Sequence, residues 1–563
     1  MSSNPLSIIF CWHMHQPFYR MADDGRYHLP WVYLHAMKEY TDMAEVLAAN
    51  PAAKAVVNFV PSLSAQIKDY AEHLHLWQHE KHTLPDPLLD LLARDDGRFS
   101  IEERNYLLEA CFRLQHERNL YRYSGFAKLK ALSDFAIAEQ DVSYLADGFF
   151  TDLVTWYHLG WLAETVRDSH PVAKALFAKG GGFVWEDRRQ LIGLIAELLA
   201  EVSGRYAKLA ATGQIELSTT PYAHPIMPLM LDFHTARETV PDAMIPPQPY
   251  PGGRARAVDH IQRAQAAHQA EFGRAAYGCW PAEGAVSTDS LALLGEAGMH
   301  WCATGEAVLH HSLGVNVRER QPDALYHPWQ VGSGKQAITC FFRDDQLSDR
   351  IGFEYSKWGT GDAVANFIHE LTQIRHRAQG VNAPVVVVAM DGENAWEHYD
   401  HNGIPFLTQL YQAVVDEPGV ELTTFEAYTK ANPKSPQLEH LVSGSWVYGN
   451  LSTWIGDPAK TRGWELIIAA KKAVDVAWQG LTSDQQQQVS EQLSICEGSD
   501  WCWWFGDYNP SDAVRDFDHL YRSHLAKLYA MIGQEAPESL GLSLANGSGG
   551  AAEGGGTMRR GGA

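Results

Sequence analysis

Gly278-Cys279-Trp280-Pro281-Ala282-Glu283-Gly284 and Phe341-Phe342-Arg343-Asp344-Asp345-Gln346-Leu347-Ser348-Asp349 are the stretches on which the reading of this chain turns. Each begins in a short apolar run that reads as a buried strand and ends in a carboxylate, Glu283 in the first and Asp344 in the second. An acid at the exit of a buried strand is out of place for packing and well placed for chemistry. In parallel α/β barrels the active site is assembled at the C-terminal strand ends. Two carboxylates facing each other across such a mouth are the usual apparatus for breaking a glycosidic bond. The pattern points to a carbohydrate-active enzyme.

Working outward, seven segments read as buried parallel strands, apolar or β-branched and ending in polar residues. They are Leu6–Trp12, Ala55–Val60, Ile215–Thr219, Ala276–Trp280, Trp301–Thr304, Ile338–Arg343 and Val385–Met390. Helical patterns such as Asp289–Gly298 and Asp362–His376 separate them, and that alternation predicts a parallel sheet or barrel. The fold class is therefore α/β, an incomplete (β/α)7 barrel. The stretch from about 70 to 209 reads as a mostly helical insertion between the second and third strands. Residues 1–402 form the expected catalytic barrel, 403–540 an α-helical domain packed on it, and 541–563 a flexible Gly-rich tail. Within the helical domain, Asp457-Pro458 is a helix start with Pro in the first turn.

The 563 residues are too many for one small core at about 150 residues per domain. A net charge of -23 argues against a nucleic-acid partner and against docking on an anionic membrane, but would not repel a neutral glucan. The 18 Trp and 23 Tyr suit a saccharide cleft, where aromatic faces stack on sugar rings, although large cores also bury many aromatics. No secretory signal or membrane-length apolar run is visible, and seven scattered Cys do not form a disulfide framework. The expected location is cytoplasmic; the oligomeric state is open.

At the exit of the first strand stand His13 and His15, which alternate along an extended chain and so share a side. They suit either hydrogen bonds to a sugar hydroxyl or acidic partner, or the beginning of a metal site. Glu216, in the third strand, suits a substrate hydroxyl or a partner for His13, and equally an ion pair at the barrel rim. Asp391 follows a buried strand and reads as a sugar-binding or supporting acid. Trp396 divides evenly between stacking platform and core. Trp280 and His224 read as pocket residues, and Arg343 as a donor beside the carboxylates.

Five short regions in a fixed order carry a resemblance to glycoside hydrolase family 57. They are His13-Met14-His15-Gln16-Pro17; Gly213–Ser218 running on to Pro221-Tyr222-Ala223-His224-Pro225; Trp280–Gly284; Phe342-Arg343-Asp344 with Leu347-Ser348-Asp349; and Asp391–Glu397. Gly444-Ser445-Trp446, Thr453–Gly456, Arg462–Glu465 and Gly498–Trp501 resemble the amylopullulanase and α-amylase branch. Gly506-Asp507-Tyr508-Asn509 departs from that branch's Gly-Asp-Asp-His.

The resemblance implies a seven-stranded barrel acting on α-glucans with retention, with Glu283 as nucleophile and Asp344 as general acid/base. Neighbours on a strand face opposite ways, so only one of Asp344 and Asp345 is expected in the site. The leading expectation is cleavage of α-1,4 and some α-1,6 glucosidic bonds through a glycosyl-enzyme. A 4-α-glucanotransferase or branching enzyme would use the same carboxylates. A metal-dependent carbohydrate deacetylase and a non-catalytic glucan-binding protein are the readings from other classes. The two-carboxylate chemistry requires no cofactor and no metal.

Overall fold

A computed structural model describes residues 5–80, 82–139, 142–506 and 508–547. Its nine strands are β1 (Leu6–Met14), β2 (Ala55–Phe59), β3 (Ile215–Thr219), β4 (Gly278–Cys279), β5 (Trp301–Gly305), β6 (Trp329–Val331), β7 (Ile338–Arg343), β8 (Val385–Asp391) and β9 (Val420–Leu422). Seven of them close a parallel barrel in the order β1-β2-β3-β4-β5-β7-β8, with β8 returning to β1. These are the seven strands expected from the sequence. They read as continuous apolar runs because both of their faces are covered.

Two short strands were not anticipated. β6 pairs antiparallel with β7, and β9 pairs parallel with β1. β1 divides one edge between two partners. Its upper half, Cys11–Met14, pairs with β2, while Leu6–Ile8 pairs with Val420–Leu422 of β9. The barrel is thus splayed at its base, and the helix Phe425–Ala431 closes the gap. Phe425 lies against the Trp301 and Phe341 rings at 4.1 and 4.7 Å between centroids. With Ile9, Cys11, Val56, Ala303 and Val387 these rings fill the interior as a packed core, not a pore. Each large apolar side chain buried there contributes about 1.5–3 kcal/mol.

Barrel elements continue past residue 402. The helix Ile404–Asp416 packs on the barrel wall, where Tyr411 accepts a hydrogen bond from Trp12 Nε1 at 2.9 Å. The insertion between β2 and β3 is helical as expected. Its longest helices are Pro61–Glu80 and Trp185–Ala211, and its helices start at ordinary caps such as the Ser100–Glu103 capping box. None of the helices among the described residues is long and apolar enough to cross a membrane.

The C-terminal helices Pro458–Ala477, Ser483–Cys496, Asp500–Trp504 and Ser511–Met531 follow, with Asp457 accepting from Ala459 N at the predicted start. Of the tail expected to be flexible, residues 541–547 lie on the last helix, where Leu544 N donates to Asp518. Residues 548–563 fall outside the described residues.

Glu497 fastens this helical region to the barrel. It is fully enclosed, yet Arg256 and His260, each at 2.8 Å, hold its carboxyl down at about 2. Removing one partner of such a buried pair leaves the other uncompensated. Glu497→Gln is therefore expected to destabilise the protein by about 3–5 kcal/mol, seen as a lower unfolding temperature at pH 7.

Candidate active site

Glu283 leaves the exit of β4 in a left-handed conformation, φ 56° and ψ 22°. For a side-chain-bearing residue this costs about 1–3 kcal/mol and persists only where surrounding contacts impose it. The contacts come from Trp446. Its backbone N donates to the Glu283 carbonyl at 3.2 Å, and its indole Nε1 donates to Glu283 Oε2 at 2.9 Å. Val286 and Gly444 form a small antiparallel bridge that aligns the two segments. Gly305 at the end of β5 leaves room for this, since a Cβ there would lie 2.6 Å from Trp446 Cα. Glu283 is 9% exposed, so burial first, and then the charge of Asp391, pushes its carboxyl up to about 8.

Beside Glu283 three imidazoles converge from the exits of β1 and β3. His13 Nδ1 lies 2.7 Å from Asn58 Oδ1. That oxygen also accepts from Thr220, while Asn58 Nδ2 donates to Ser218. Asn58 Oδ1 is thus an acceptor, and His13 carries its proton on Nδ1. His13 Nε2 then accepts from His224 Nε2 at 3.1 Å, and His224 Nδ1 accepts from Ser499 Oγ at 2.7 Å. Burial, followed by the neighbouring imidazoles, keeps both rings neutral: His13 is pushed down to about 3 and His224 well below its ordinary value. His15 stacks on His224 with centroids 3.7 Å apart and reaches Asp500 at 2.8 Å. His224 itself has φ 60°, a second left-handed residue at the site.

The exits of β7 and β8 supply further acids. Phe341 belongs to the barrel interior and Phe342 to the outer layer, so alternation sends Arg343 and Asp345 one way and Asp344 the other. Arg343 donates to Asp345 and Asp349 at 2.7 Å each and to Ala389 O, and its guanidinium sits 5.6 Å from the Trp446 ring centre. Burial pushes Asp345 up to about 6 despite Arg343. Asp344 is buried with its oxygens toward Arg318 at 2.8 Å, Leu347 N at 3.0 Å and Tyr326, and it caps the following turn. Arg318 also pairs with Glu306. Asp391 accepts from Asn394, and burial pushes it up to about 6.

Of the residues singled out from sequence, His13, His15, His224, Trp280, Glu283, Arg343 and Asp391 meet at or beside this mouth. Trp280 is fully buried, edge-on to Trp446 at 5.1 Å, and serves as the floor. Glu216 is not there. It lies low in the barrel, accepting from Trp301 Nε1 and from Glu426 N at 2.7 Å each, so it caps the helix that plugs the base. Trp396 is no platform in this conformation. It is fully buried against Trp12 and Tyr399. Asn58, Arg318, Ser499 and Asp500 were missed, and the position of Trp446 against Glu283 was not foreseen.

A carboxyl whose folded pKa is raised binds more protons in the native than in the unfolded state, so stability falls as pH rises between the two values. For Glu283 that window runs from about 4.5 to about 8. Glu283→Gln keeps an acceptor for Trp446 and never ionises. It is expected to unfold at a higher temperature than the parent at pH 8, by on the order of 1 to a few kcal/mol, with the gap closing at pH 4.5. Thermal denaturation at the two pH values checks this.

No curated protein matches the sequence. Among solved structures, a GH57-type branching enzyme from Pyrococcus horikoshii superposes with TM-score 0.57 at 14% identity, covering 93% of this chain and 89% of that one. The α-amylase AmyC from Thermotoga maritima gives 0.53 at 15%, covering 95% of each chain. A 4-alpha-glucanotransferase from Thermococcus litoralis gives 0.51 at 13%, covering 94% of this chain and 60% of its own length. At these identities the likeness establishes the fold. Residues 9–439 match the family model of glycosyl hydrolase family 57, and the chain belongs to that family.

Proposed function

We propose that this protein is a retaining enzyme of α-glucans, with Glu283 as the nucleophile that forms the glycosyl-enzyme. The observation that carries the proposal is the two-point grip of Trp446 on Glu283, which holds a carboxylate at a barrel-strand exit in a costly backbone conformation. Such strain is characteristic of functional positions. The three solved relatives bear titles of a branching enzyme, an amylase and a glucanotransferase, which supports the substrate class. Within it we place this chain as an amylase or amylopullulanase, cleaving α-1,4 and some α-1,6 bonds in the cytoplasm. Transfer to a sugar acceptor is the alternative outcome of the same intermediate. A cleft of about 850 Å³, lined by Arg118, Arg122, Phe353, Lys357 and His401, lies on the loops leaving β7 and β8 and gives room for an extended chain.

Retention requires a second carboxyl about 5 Å from the nucleophile to protonate the leaving oxygen. Asp344 is the proposed acid/base by the family resemblance. Its carboxylate is held by Arg318 and Leu347 N in this structure and must turn from them toward Glu283 to serve. A second reading has one observation in its favour: Asp391 is the largest charge acting on Glu283 and is itself raised to about 6. An acid/base variant loses activity on glucans but keeps it on a glycosyl fluoride, whose leaving group needs no proton. Comparing Asp344→Asn, Asp345→Asn and Asp391→Asn on maltoheptaose and α-maltosyl fluoride identifies the donor.

Product analysis on soluble starch, maltoheptaose and pullulan tests the wider proposal. The expected result is new reducing ends from the wild type and a loss on the order of 10³-fold or more in Glu283→Gln. Longer or branched glucans without new reducing ends assign a transferase. Equal behaviour of wild type and variant overturns the glycosidase reading. The pH dependence is specific too. A nucleophile must be ionised, so kcat/KM is expected to rise with pH along a limb near 8. Asp391→Asn removes the neighbouring anion and is expected to move that limb to lower pH.

A further inference from the structure

We infer that Tyr508 and Tyr448 form an outer position for a glucan chain, where a sugar ring beyond the cleaved unit lies against two phenols held in place by the protein. This position belongs to the α-glucan reading of the site and falls with it. It concerns how tightly a long chain is held, not which bond breaks.

Tyr508 stands in Gly506-Asp507-Tyr508-Asn509, where the chain departs from the branch it resembles. It is 63% exposed, yet it is held from beneath by Lys460, which has no exposure at all. Lys460 Nζ donates to the Tyr508 hydroxyl and to the carbonyl of Thr453. Lys38 and Lys471, also buried, each pair with a carboxylate. Lys460 has no carboxylate within ion-pair reach among the described residues, and burial pushes it down to about 8. Enclosing a cation without an anion is costly, and what this one fixes is the hydroxyl of an exposed ring. The backbone on either side is fastened too. Gly506, at φ 128°, has no side chain where a Cβ would lie 2.6 Å from the Tyr508 ring. Asn509 Nδ2 donates to Trp503 O and Trp504 O at 3.1 and 2.9 Å. Because the Tyr508 oxygen accepts from Lys460, its own proton is left to be donated outward, with no acceptor for it among the described residues.

Tyr448 comes from the loop that grips Glu283. It is exposed and left-handed, φ 56°, an outlier for so bulky a residue. Ser445 imposes the turn: its Oγ accepts from Val447 N at 3.1 Å and donates to Asn450 O at 2.7 Å. Tyr448 is among the groups whose charge raises the Tyr508 phenol, so the two phenols stand near each other. Both are continuous with the candidate site. Trp446 at one end of the segment holds Glu283, and Thr453 further along shares Lys460 with Tyr508. The helix Asp500–Trp504 connects Tyr508 to Asp500, which bonds His15 at the mouth. A fixed phenol suits a sugar ring, since its face takes the apolar side of the ring and its tip bonds a hydroxyl. A side chain already held loses little freedom when a ligand arrives.

The test compares the full-length parent with Tyr508→Ala, Tyr448→Ala and Lys460→Met on maltoheptaose, soluble starch and α-maltosyl fluoride, whose two rings fill only the places next to Glu283. Each tyrosine variant is expected to raise KM on maltoheptaose and starch about 3–10-fold, with kcat within about twofold of the parent and kcat/KM on the fluoride unchanged. Lys460→Met removes the donor at similar volume. It is expected to reproduce the rise in KM without a lower unfolding temperature, because an apolar side chain in place of a buried charge is often neutral or stabilising. A lysine that serves the fold alone would do the reverse, lowering the unfolding temperature and leaving KM as it was. A parental KM on both long substrates in Tyr508→Ala, or an equal loss on the fluoride, overturns the inference and leaves the glucan reading standing. A parent that turns over none of the three substrates removes both.

Discussion

The double contact between Trp446 and Glu283 is the constraint on which the site depends. Glu283 has no reason of its own to take a left-handed backbone: the residue is not Gly, Asn or Asp, and the strain must be opposed by something fixed. Trp446 supplies one hydrogen bond to its carbonyl and one to its carboxylate. It can do so because the loop carrying it lies against the ends of β4 and β5, where Gly305 has no side chain to keep it away. The barrel is therefore chemically incomplete without a segment that follows it in sequence. The same holds for His224, which takes both a side-chain and a backbone hydrogen bond from Ser499.

Electrostatics at the mouth follow from how few cations reach it. Arg343 is shared by Asp345 and Asp349, and Arg318 by Glu306 and Asp344. Burial raises both Glu283 and Asp391; the charge of Asp391 adds to the rise at Glu283, while Asn394, His15 and Arg343 oppose it at Asp391. Before substrate binds, this arrangement is costly. Under the proposed function it would become favourable as a glycosidic bond breaks, because the sugar then carries developing positive charge that fixed anions stabilise without reorganising. A neutral glucan meets no ionic competitor on entry, which is consistent with a chain of net charge -23.

The barrel strands were legible because burial on both faces writes itself as unbroken apolar runs, such as Val385–Met390. β6 and β9, three residues each and partly exposed, carry no such mark. For the site, strand exits were legible but depth and direction were not. Glu216 shares the inward face of β3, yet it enters near the base, and a period of two says nothing about height along a strand. Trp396 and Trp446 look equally available in sequence; one is sealed by Trp12 and Tyr399 while the other reaches the carboxylate. Asn58 is set beside His13 by the register of β1 and β2, which sequence alone does not show. Ser499 and Asp500 lie in the Gly498–Trp501 motif, but only packing between the barrel and the helical region carries that motif to the mouth.

The same packing bears on the fate of the glycosyl-enzyme proposed for Glu283. A sugar bonded to Glu283 would be attacked in turn from the face opposite that bond, so water and a glucan hydroxyl would compete for one position. Asp345 and Asp391 stand at the exits of β7 and β8, and a cleft of about 850 Å³ opens on the loops that follow those strands and on the helical insertion. Partition between hydrolysis and transfer is consequently a question of how long a glucan occupies that cleft relative to the lifetime of the intermediate. The cleft's lining of Arg118, Arg122, Lys357 and His401 offers hydrogen-bond donors to sugar hydroxyls at its walls. The residues that set the product are thus expected on the insertion and on the β7 and β8 loops, away from the carboxylates proposed to break the bond.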